Sequence, residues 1–178
     1  MDALSEIRRT RSPIDASAIA SGGVYAWFVR EPLRLADFEL NSEDPVYVGR
    51  SSNLAAREYA NHLSSTSTGW STLRRSLGAL LKDELHLTAV PRGNGKTSSN
   101  FTNYRFEAQG EQRLTGWMLE HLEVGVCPVD DPERVEAELL AQLSPVLNLK
   151  GSRNPLASKI RALRKTCADE ARGGAGCA

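Results

Sequence analysis

The sequence has no excess of charge of either sign. Its 178 residues contain 22 lysines and arginines and 22 aspartates and glutamates. This balance disfavours a uniformly basic protein that coats DNA, whereas a local basic patch is still compatible with it. Hydrophobic residues make up 40% of the chain and charged residues 25%, which is typical of a globular protein. The length favours one domain with additional segments over two full domains.

Long apolar runs and paired cysteines are also missing. No run reaches about 18 apolar residues, so we expect no membrane span. The N-terminal residues "MDALSEIRRTRSP" lack the apolar core of a secretory signal. The three cysteines (Cys127, Cys167 and Cys177) are odd in number and far apart, which fits neither a disulfide framework nor a zinc site. We therefore expect a cytoplasmic protein with reduced thiols.

A nucleotide-binding motif is present only in part. The residues "GNGKT" at 93–97 resemble a phosphate-binding loop, but the full pattern requires a glycine five positions before Gly95. That position is Val90. The residues that follow are polar and do not have a helical pattern. We therefore reject an NTPase.

Local patterns predict three strands and several helices. The strands are predicted where β-branched and aromatic residues follow turn residues, at 23–30, 45–49 and 123–129. The first two are expected to be antiparallel, because the connection is too short for a comfortable crossover helix. Helices are predicted from apolar spacing and capping residues at 53–63, 71–84, 107–121 and 130–143. Residues 85–90 are predicted as a further strand, and residues 91–105 as a polar loop.

The helix predicted at 130–143 carries an acid on its apolar side. Helical spacing places Glu136 in the sector of the apolar residues Val135, Leu139, Leu140 and Leu143, and Glu138 on the polar side. Burial of an unpaired carboxylate costs on the order of several kcal/mol. Glu136 therefore requires a cation, a hydrogen-bond network or a cleft, and a divalent metal would satisfy it. The plainer alternative is an acid at the edge of the stripe that reaches water or meets an arginine.

Two further segments have both a functional and a plainer interpretation. In the helix 53–63, Arg57 lies one turn beyond Asn53 and could grip a phosphate through two hydrogen bonds. The alternative is a solvated face with a Glu58–His62 pair. Residues 150–168 contain six basic residues and no acid: Lys150, Arg153, Lys159, Arg161, Arg164 and Lys165. This segment is either an arm that contacts phosphates or a solvated basic helix.

Four short motifs occur in a characteristic order. They are "GVY" at 23–25, "YVG" at 47–49, "NLAAR" at 53–57 and "VEAELLAQLSPVLN" at 135–148. Together they resemble the GIY-YIG nuclease family over about residues 22–149. The resemblance implies an α+β fold, with a small, mainly antiparallel three-stranded sheet flanked by helices. It also implies a metal-dependent endonuclease that hydrolyses DNA phosphodiester bonds with one Mg²⁺ or Mn²⁺.

The resemblance also assigns roles to individual residues. It implies that Glu136 holds the metal and that Arg57 stabilises the charged phosphate. Tyr25 and Tyr47 would line the site, and one of them would help to deprotonate the attacking water. Asn148 would support the pocket.

Two positions near the second motif are expected to contact the substrate. Arg50 falls where some family members have a basic residue after the glycine, and Asn53 starts the following helix. Many members carry a histidine or tyrosine four residues after the arginine, where this chain has Asn61. His62 would point about 140° away from Arg57 on a regular helix. Either the helix end is irregular and His62 is catalytic, or this role is vacant.

The resemblance divides the chain into three parts. We expect an N-terminal extension over 1–20, the nuclease-like domain over 21–149, and a basic C-terminal helix with a flexible tail over 150–178. Residues of about 64–121 would form an insertion that reads the substrate, with five candidate basic residues: Arg74, Arg75, Arg92, Lys96 and Arg105. Asn61 and the neutral net charge leave an alternative open, namely a nucleic-acid-binding module of the same fold with weak or no cleavage.

Overall fold

The structure is a computed structural model that describes residues 2–13, 22–35, 37–52, 68–151, 153–154 and 156–174. The chain divides into two compact units. The first unit comprises Met1–Ala60 and Trp117–Pro155, and the second comprises Asn61–Gly116 and Leu156–Ala178.

The described residues form six helices and eight strands. The helices are α1 (Ala3–Arg9), α2 (Thr72–Leu80), α3 (Ser98–Thr102), α4 (Ala108–His121), α5 (Pro132–Leu143) and α6 (Ala157–Gly174). The strands are β1 (Ser12–Pro13), β2 (Gly23–Val29), β3 (Leu33–Leu35), β4 (Phe38–Leu40), β5 (Tyr47–Ser51), β6 (Ala89–Val90), β7 (Arg105–Phe106) and β8 (Leu122–Pro128). Thr68–Trp70 forms a short 3₁₀ turn.

The first unit is built on an antiparallel sheet with the strand order β1-β8-β2-β5. The α+β class and the antiparallel pairing of β2 with β5 are confirmed. The predicted number of three strands is wrong, because β1 adds a fourth strand beside β8. This strand has only two residues and contains Pro13, so it has no periodic pattern. Proline is compatible with it because β1 lies at a sheet edge.

The N-terminal segment takes part in the core of the first unit. Ile7 of α1 is fully buried and belongs to the same apolar cluster as Val24 of β2. The Thr10 hydroxyl accepts a hydrogen bond from the main-chain nitrogen of Val126 at 2.8 Å and donates one to its oxygen at 2.7 Å. These contacts fix α1 against β8.

Helix α5 packs on one face of the sheet. Its start agrees with the sequence signals, since Asp131 caps the helix and Pro132 occupies its first turn. The core between α5 and the sheet contains apolar side chains from both: Val24, Ala26, Phe28, Val48, Val135, Leu139 and Leu140. Because side chains alternate along a strand, Arg50 shares the face of Val48, whereas Tyr47 and Gly49 belong to the other face.

Several short elements depart from the predictions. The connection between β2 and β5 contains the hairpin β3–β4, and the predicted loop 91–105 contains α3 and β7. The strand predicted at 85–90 is reduced to β6, which pairs with β7. Two- and three-residue strands are too short for alternation to be visible in a sequence, so only their partners define them.

The second unit has its own apolar core. Helix α6 packs against α2, α3 and β6. Buried apolar residues come from four of its elements: Leu73, Leu77, Phe106, Leu114, Ile160 and Cys167. A buried ion pair joins Arg74 of α2 to Glu111 of α4 at 2.6 Å. Burial lowers the pKa of the Arg74 guanidinium, and the neighbouring Glu111 carboxylate opposes that shift.

Two expectations from composition can be compared with the described residues. None of their helices is both long enough and apolar enough to span a membrane. Cys127 and Cys167 are buried and free, and burial raises the pKa of both thiols. Cys177 lies outside the described residues.

Candidate active site

Tyr25 and Gly49 face each other on neighbouring strands, β2 and β5. A Cβ atom added to Gly49 would lie 2.5 Å from both Cζ and Oη of Tyr25. No side chain fits in this space, so the close approach of the phenol to the β5 backbone requires a glycine. Tyr25 is 4% exposed, so its ring has little room to move.

Tyr47 lies on the same side of the sheet as Tyr25. The two ring centroids are 6.4 Å apart and the ring planes are tilted by 32°. This separation is within the range of favourable aromatic pairs. The structure thus brings the two predicted tyrosines together, on the face of β5 that is turned away from α5.

Arg50 reaches two acids of α5 on the other face. Its Nε lies 3.0 Å from a carboxylate oxygen of Glu136, and its Nη1 lies 3.1 Å from one of Glu133. Glu136 is half-buried and Glu133 is exposed. The guanidinium therefore neutralises the acid that helical spacing places beside the core. This arginine contact is the plainer of the two environments that the sequence allows for Glu136.

The donor set of Glu136 also suits a divalent metal. Among the described residues, no group of three or more His, Cys, Asp or Glu side chains is arranged to hold a metal ion. Mg²⁺, however, commonly binds through one or two carboxylates together with water and substrate phosphates. Glu136 and Glu133 lie one helical turn apart and converge on the same cation, so their oxygens fit such a site. Arg50 competes with a metal for them.

Asn148 holds the outer edge of β5. Its side-chain oxygen accepts a hydrogen bond from the main-chain nitrogen of Val48 at 2.9 Å, and its side-chain nitrogen donates one to the Val48 oxygen at 2.8 Å. The nitrogen of Leu147 also donates to the oxygen of Val46. These bonds satisfy polar groups that an edge strand leaves open. Asn148 is therefore a positioning residue for the strand that carries Tyr47 and Arg50.

The family model for the GIY-YIG catalytic domain matches residues 23–168. The chain belongs to the GIY-YIG family. The match begins at the first residue of β2, two residues before Tyr25, and extends into α6. No curated protein and no solved structure matches the chain.

A cleft of about 480 Å³ lies beside the Arg50–Glu133 pair. It is lined by the end of β5 and the beginning of α5: Arg50, Ser51, Ser52, Asp131, Pro132 and Glu133. Arg50 is 44% exposed, so its guanidinium is available at the cleft while it pairs with the acids. The cleft therefore offers room for a phosphate group beside a cation.

Sequence reasoning missed Asn154 as a supporting residue. Its side-chain nitrogen donates to the main-chain oxygen of Val146 and, at 3.5 Å, to that of Asn148. Asn154 is 7% exposed, so it contributes a buried brace to the turn that presents Asn148. The only local signal is an asparagine before a proline, which indicates a turn but not its partner.

Some predicted residues cannot be placed, and others are placed elsewhere. Asn53, Arg57 and His62 lie outside the described residues, so their roles stay predictions. Arg74 and Arg75 are 0% and 8% exposed and bind groups within the second unit. The expectation that these two arginines read the substrate is therefore wrong.

Proposed function

We propose that this GIY-YIG protein is a metal-dependent endonuclease that hydrolyses DNA phosphodiester bonds. The observation that supports this most is the environment of Glu136. Its half-buried carboxylate is held beside the core of the first unit, and it meets a cation next to an open cleft.

The proposal assigns a role to each group on β5 and α5. Glu136, with Glu133 beside it, would hold Mg²⁺ or Mn²⁺, which when bound stabilises negative charge on a phosphate. Arg50 would bind a phosphate oxygen from the wall of the cleft. Tyr25 and Tyr47 would orient the attacking water, and one of them would accept its proton.

The proton transfer needs a nearby positive charge. A free tyrosine has a pKa of about 10, so it is a poor base at neutral pH unless a cation favours the phenolate. Arg50 follows Gly49 directly in β5 but belongs to the opposite face of the sheet from the Tyr25 phenol, so its charge acts on that phenol only at a distance. Arg57 is proposed to supply further charge, by its place in the family motif.

One observation favours the alternative of a binding module with weak or no cleavage. Arg50 already forms ion pairs with Glu136 at 3.0 Å and with Glu133 at 3.1 Å. A protein that kept this ion pair when DNA is bound would have no free carboxylate for a metal. The two functions are thus distinguished by whether Glu136 affects cleavage or only folding.

A plasmid-nicking assay tests the proposal. Supercoiled DNA is incubated with the protein and Mg²⁺ or Mn²⁺, and Glu136→Gln is compared with Glu138→Gln. Glu138 is on the same helix, but it is exposed and pairs with Arg134, so its loss should leave cleavage unchanged. The proposal expects metal-dependent nicking that Glu136→Gln lowers by about 10² or more, by analogy with the loss of a group that stabilises the transition state.

Two outcomes would contradict the proposal. If the folded wild-type protein binds DNA but cuts none of the single-stranded, double-stranded and branched substrates with either metal, the binding-module alternative is favoured. If nicking persists at the same rate in Glu136→Gln, the activity does not come from this site. Circular dichroism of both variants provides the folding control.

A further inference from the structure

The neutral net charge of the chain conceals two oppositely charged units. The first unit contains 10 lysines and arginines against 16 aspartates and glutamates, and therefore has a net charge of −6. The second contains 12 against 6, and therefore has a net charge of +6. A polyanion such as DNA is repelled by the net charge of the first unit and attracted by that of the second.

The second unit also displays an exposed tryptophan. Trp70 is 72% exposed, whereas Trp27 and Trp117 are 1% and 8% exposed. The guanidinium carbon of Arg92 lies 4.0 Å from the centre of the Trp70 ring. We call this pair the Trp70–Arg92 platform. An exposed indole with an arginine over its ring is a combination that suits the binding of single-stranded nucleic acid, where bases stack on aromatic side chains and arginine adds charge.

Arg92 is held in place by three hydrogen bonds. Its side chain donates to the main-chain oxygen of Gly69 at 3.1 Å and to the hydroxyl of Ser99 at 3.2 Å. Its main-chain nitrogen donates to the oxygen of Asn100 at 2.9 Å. A Cβ atom on Gly69 would lie 2.7 Å from Cδ of Arg92, so a glycine is required for the side chain to cross the turn.

The turn that presents Trp70 is anchored in the interior. The Thr68 hydroxyl donates to the Glu111 carboxylate at 2.7 Å and accepts from Nε of Arg74 at 3.1 Å. Arg75 donates to the oxygen of Gly69 at 2.9 Å. Thr68 and Arg74 are fully buried, yet Trp70, two residues after Thr68, is exposed. A rigid support of this kind lowers the conformational entropy that the protein loses when a ligand binds.

From these observations we infer that the second unit binds single-stranded or unpaired DNA, with one base stacked on Trp70 and a phosphate near Arg92. This inference rests on the proposed nuclease function for the identity of the polymer. The charge of the second unit favours a polyanion, and the indole favours a polymer with aromatic bases over an acidic peptide. The platform would hold the substrate through contacts separate from those of Glu136.

The test measures binding without cleavage. Fluorescence anisotropy of a labelled thymidine oligonucleotide is recorded in EDTA for the full-length protein, with an abasic oligonucleotide of equal length and polyglutamate as comparisons. We expect Trp70→Ala to weaken binding of the thymidine oligonucleotide by about tenfold or more, since one base–aromatic stack is lost. Trp70→Phe should keep binding within about threefold, because the phenyl ring still stacks. Leu119→Ala, which removes a 44% exposed apolar side chain in the first unit, is the matched control.

The inference is overturned if Trp70→Ala binds the thymidine oligonucleotide as tightly as the wild type. It is also overturned if the wild type binds the abasic oligonucleotide equally well, or if polyglutamate displaces the DNA as effectively as unlabelled DNA does. These failures differ from failure of the proposed function, because nicking by Glu136→Gln is measured separately. If nicking depends on Glu136 but DNA binding does not depend on Trp70, the nuclease function is supported and the role of the Trp70–Arg92 platform is rejected.

Discussion

Replacing Gly49 by alanine should damage the site through a single steric contact. The added Cβ would lie 2.5 Å from Cζ and Oη of Tyr25, about 1 Å closer than an ordinary carbon contact of roughly 3.5 Å. Tyr25 is almost fully buried, so the ring cannot move aside without displacing the groups that bury it. Overpacking of this kind costs about 1–3 kcal/mol, and a displacement of about 1 Å at a reactive group can lower the rate by about 10²-fold.

The assay compares stability and nicking in two glycine variants. Urea unfolding should show a loss of about 1–3 kcal/mol for Gly49→Ala. Gly116→Ala is the control, because Gly116 lies in α4 and its added Cβ meets no atom within 4 Å. A helical glycine in open space should gain about 0.5–1 kcal/mol when it becomes alanine, so the two variants should move stability in opposite directions.

A double-mutant cycle shows whether Tyr25 is the cause. Removing the phenol in Tyr25→Ala eliminates the clash, so adding Gly49→Ala to that variant should cost little. The coupling between the two positions should then be about 1 kcal/mol or more. If the costs simply add, the glycine is required for a reason other than the phenol, and the steric reasoning is refuted.

Three further predictions concern other groups. Asn148→Ala leaves both main-chain groups of buried Val48 without their Asn148 partners, so the free energy of unfolding in urea should fall by about 2–4 kcal/mol. A fall of less than about 0.5 kcal/mol would contradict the role of Asn148 at the edge strand. Burial raises the pKa of Tyr104 well above 10, so its contribution to stability is complete below about pH 10 and is lost as the pH rises beyond it. Tyr104→Phe should make the free energy of unfolding less dependent on pH in this alkaline range, and an unchanged dependence would contradict the prediction. Arg50→Ala should lower kcat/KM for nicking by about tenfold, whereas Arg134→Ala, an exposed arginine of α5, should not; equal effects would remove Arg50 from substrate binding.

The sequence predicts elements whose signals are local. The strand β2 is a continuous β-branched and aromatic run. Helix α5 begins at an Asp–Pro pair, which is a favoured combination for the start of a helix. Both are confirmed. The second strand is displaced, since it runs from Tyr47 to Ser51 and not from 45 to 49. Strand ends are set by pairing with β2, which a local pattern does not contain.

Partners distant in sequence explain what local reasoning could not find. The local sequence gives no sign that Arg74 is buried, because its burial depends on partners such as Glu111, 37 residues later. Helical spacing identifies Glu136 as an acid that needs a partner, but its partner Arg50 lies on another element. Periodicity reports which face a side chain occupies. It does not report which charged residue on another element lies opposite that side chain, because this depends on the tertiary arrangement.

The charge balance of the chain shows the same limit at a larger scale. The neutral net charge favours a nucleic-acid-binding module with weak or no cleavage only if the charge is spread evenly over the chain. It is not, because the unit with the GIY-YIG tyrosines has a net charge of −6 and the other unit one of +6. An acidic unit suits the binding of a cation at Glu136, and a basic unit suits the binding of a polyanion. The total therefore carries no argument against cleavage, since the two tasks of a metal-dependent nuclease favour charges of opposite sign.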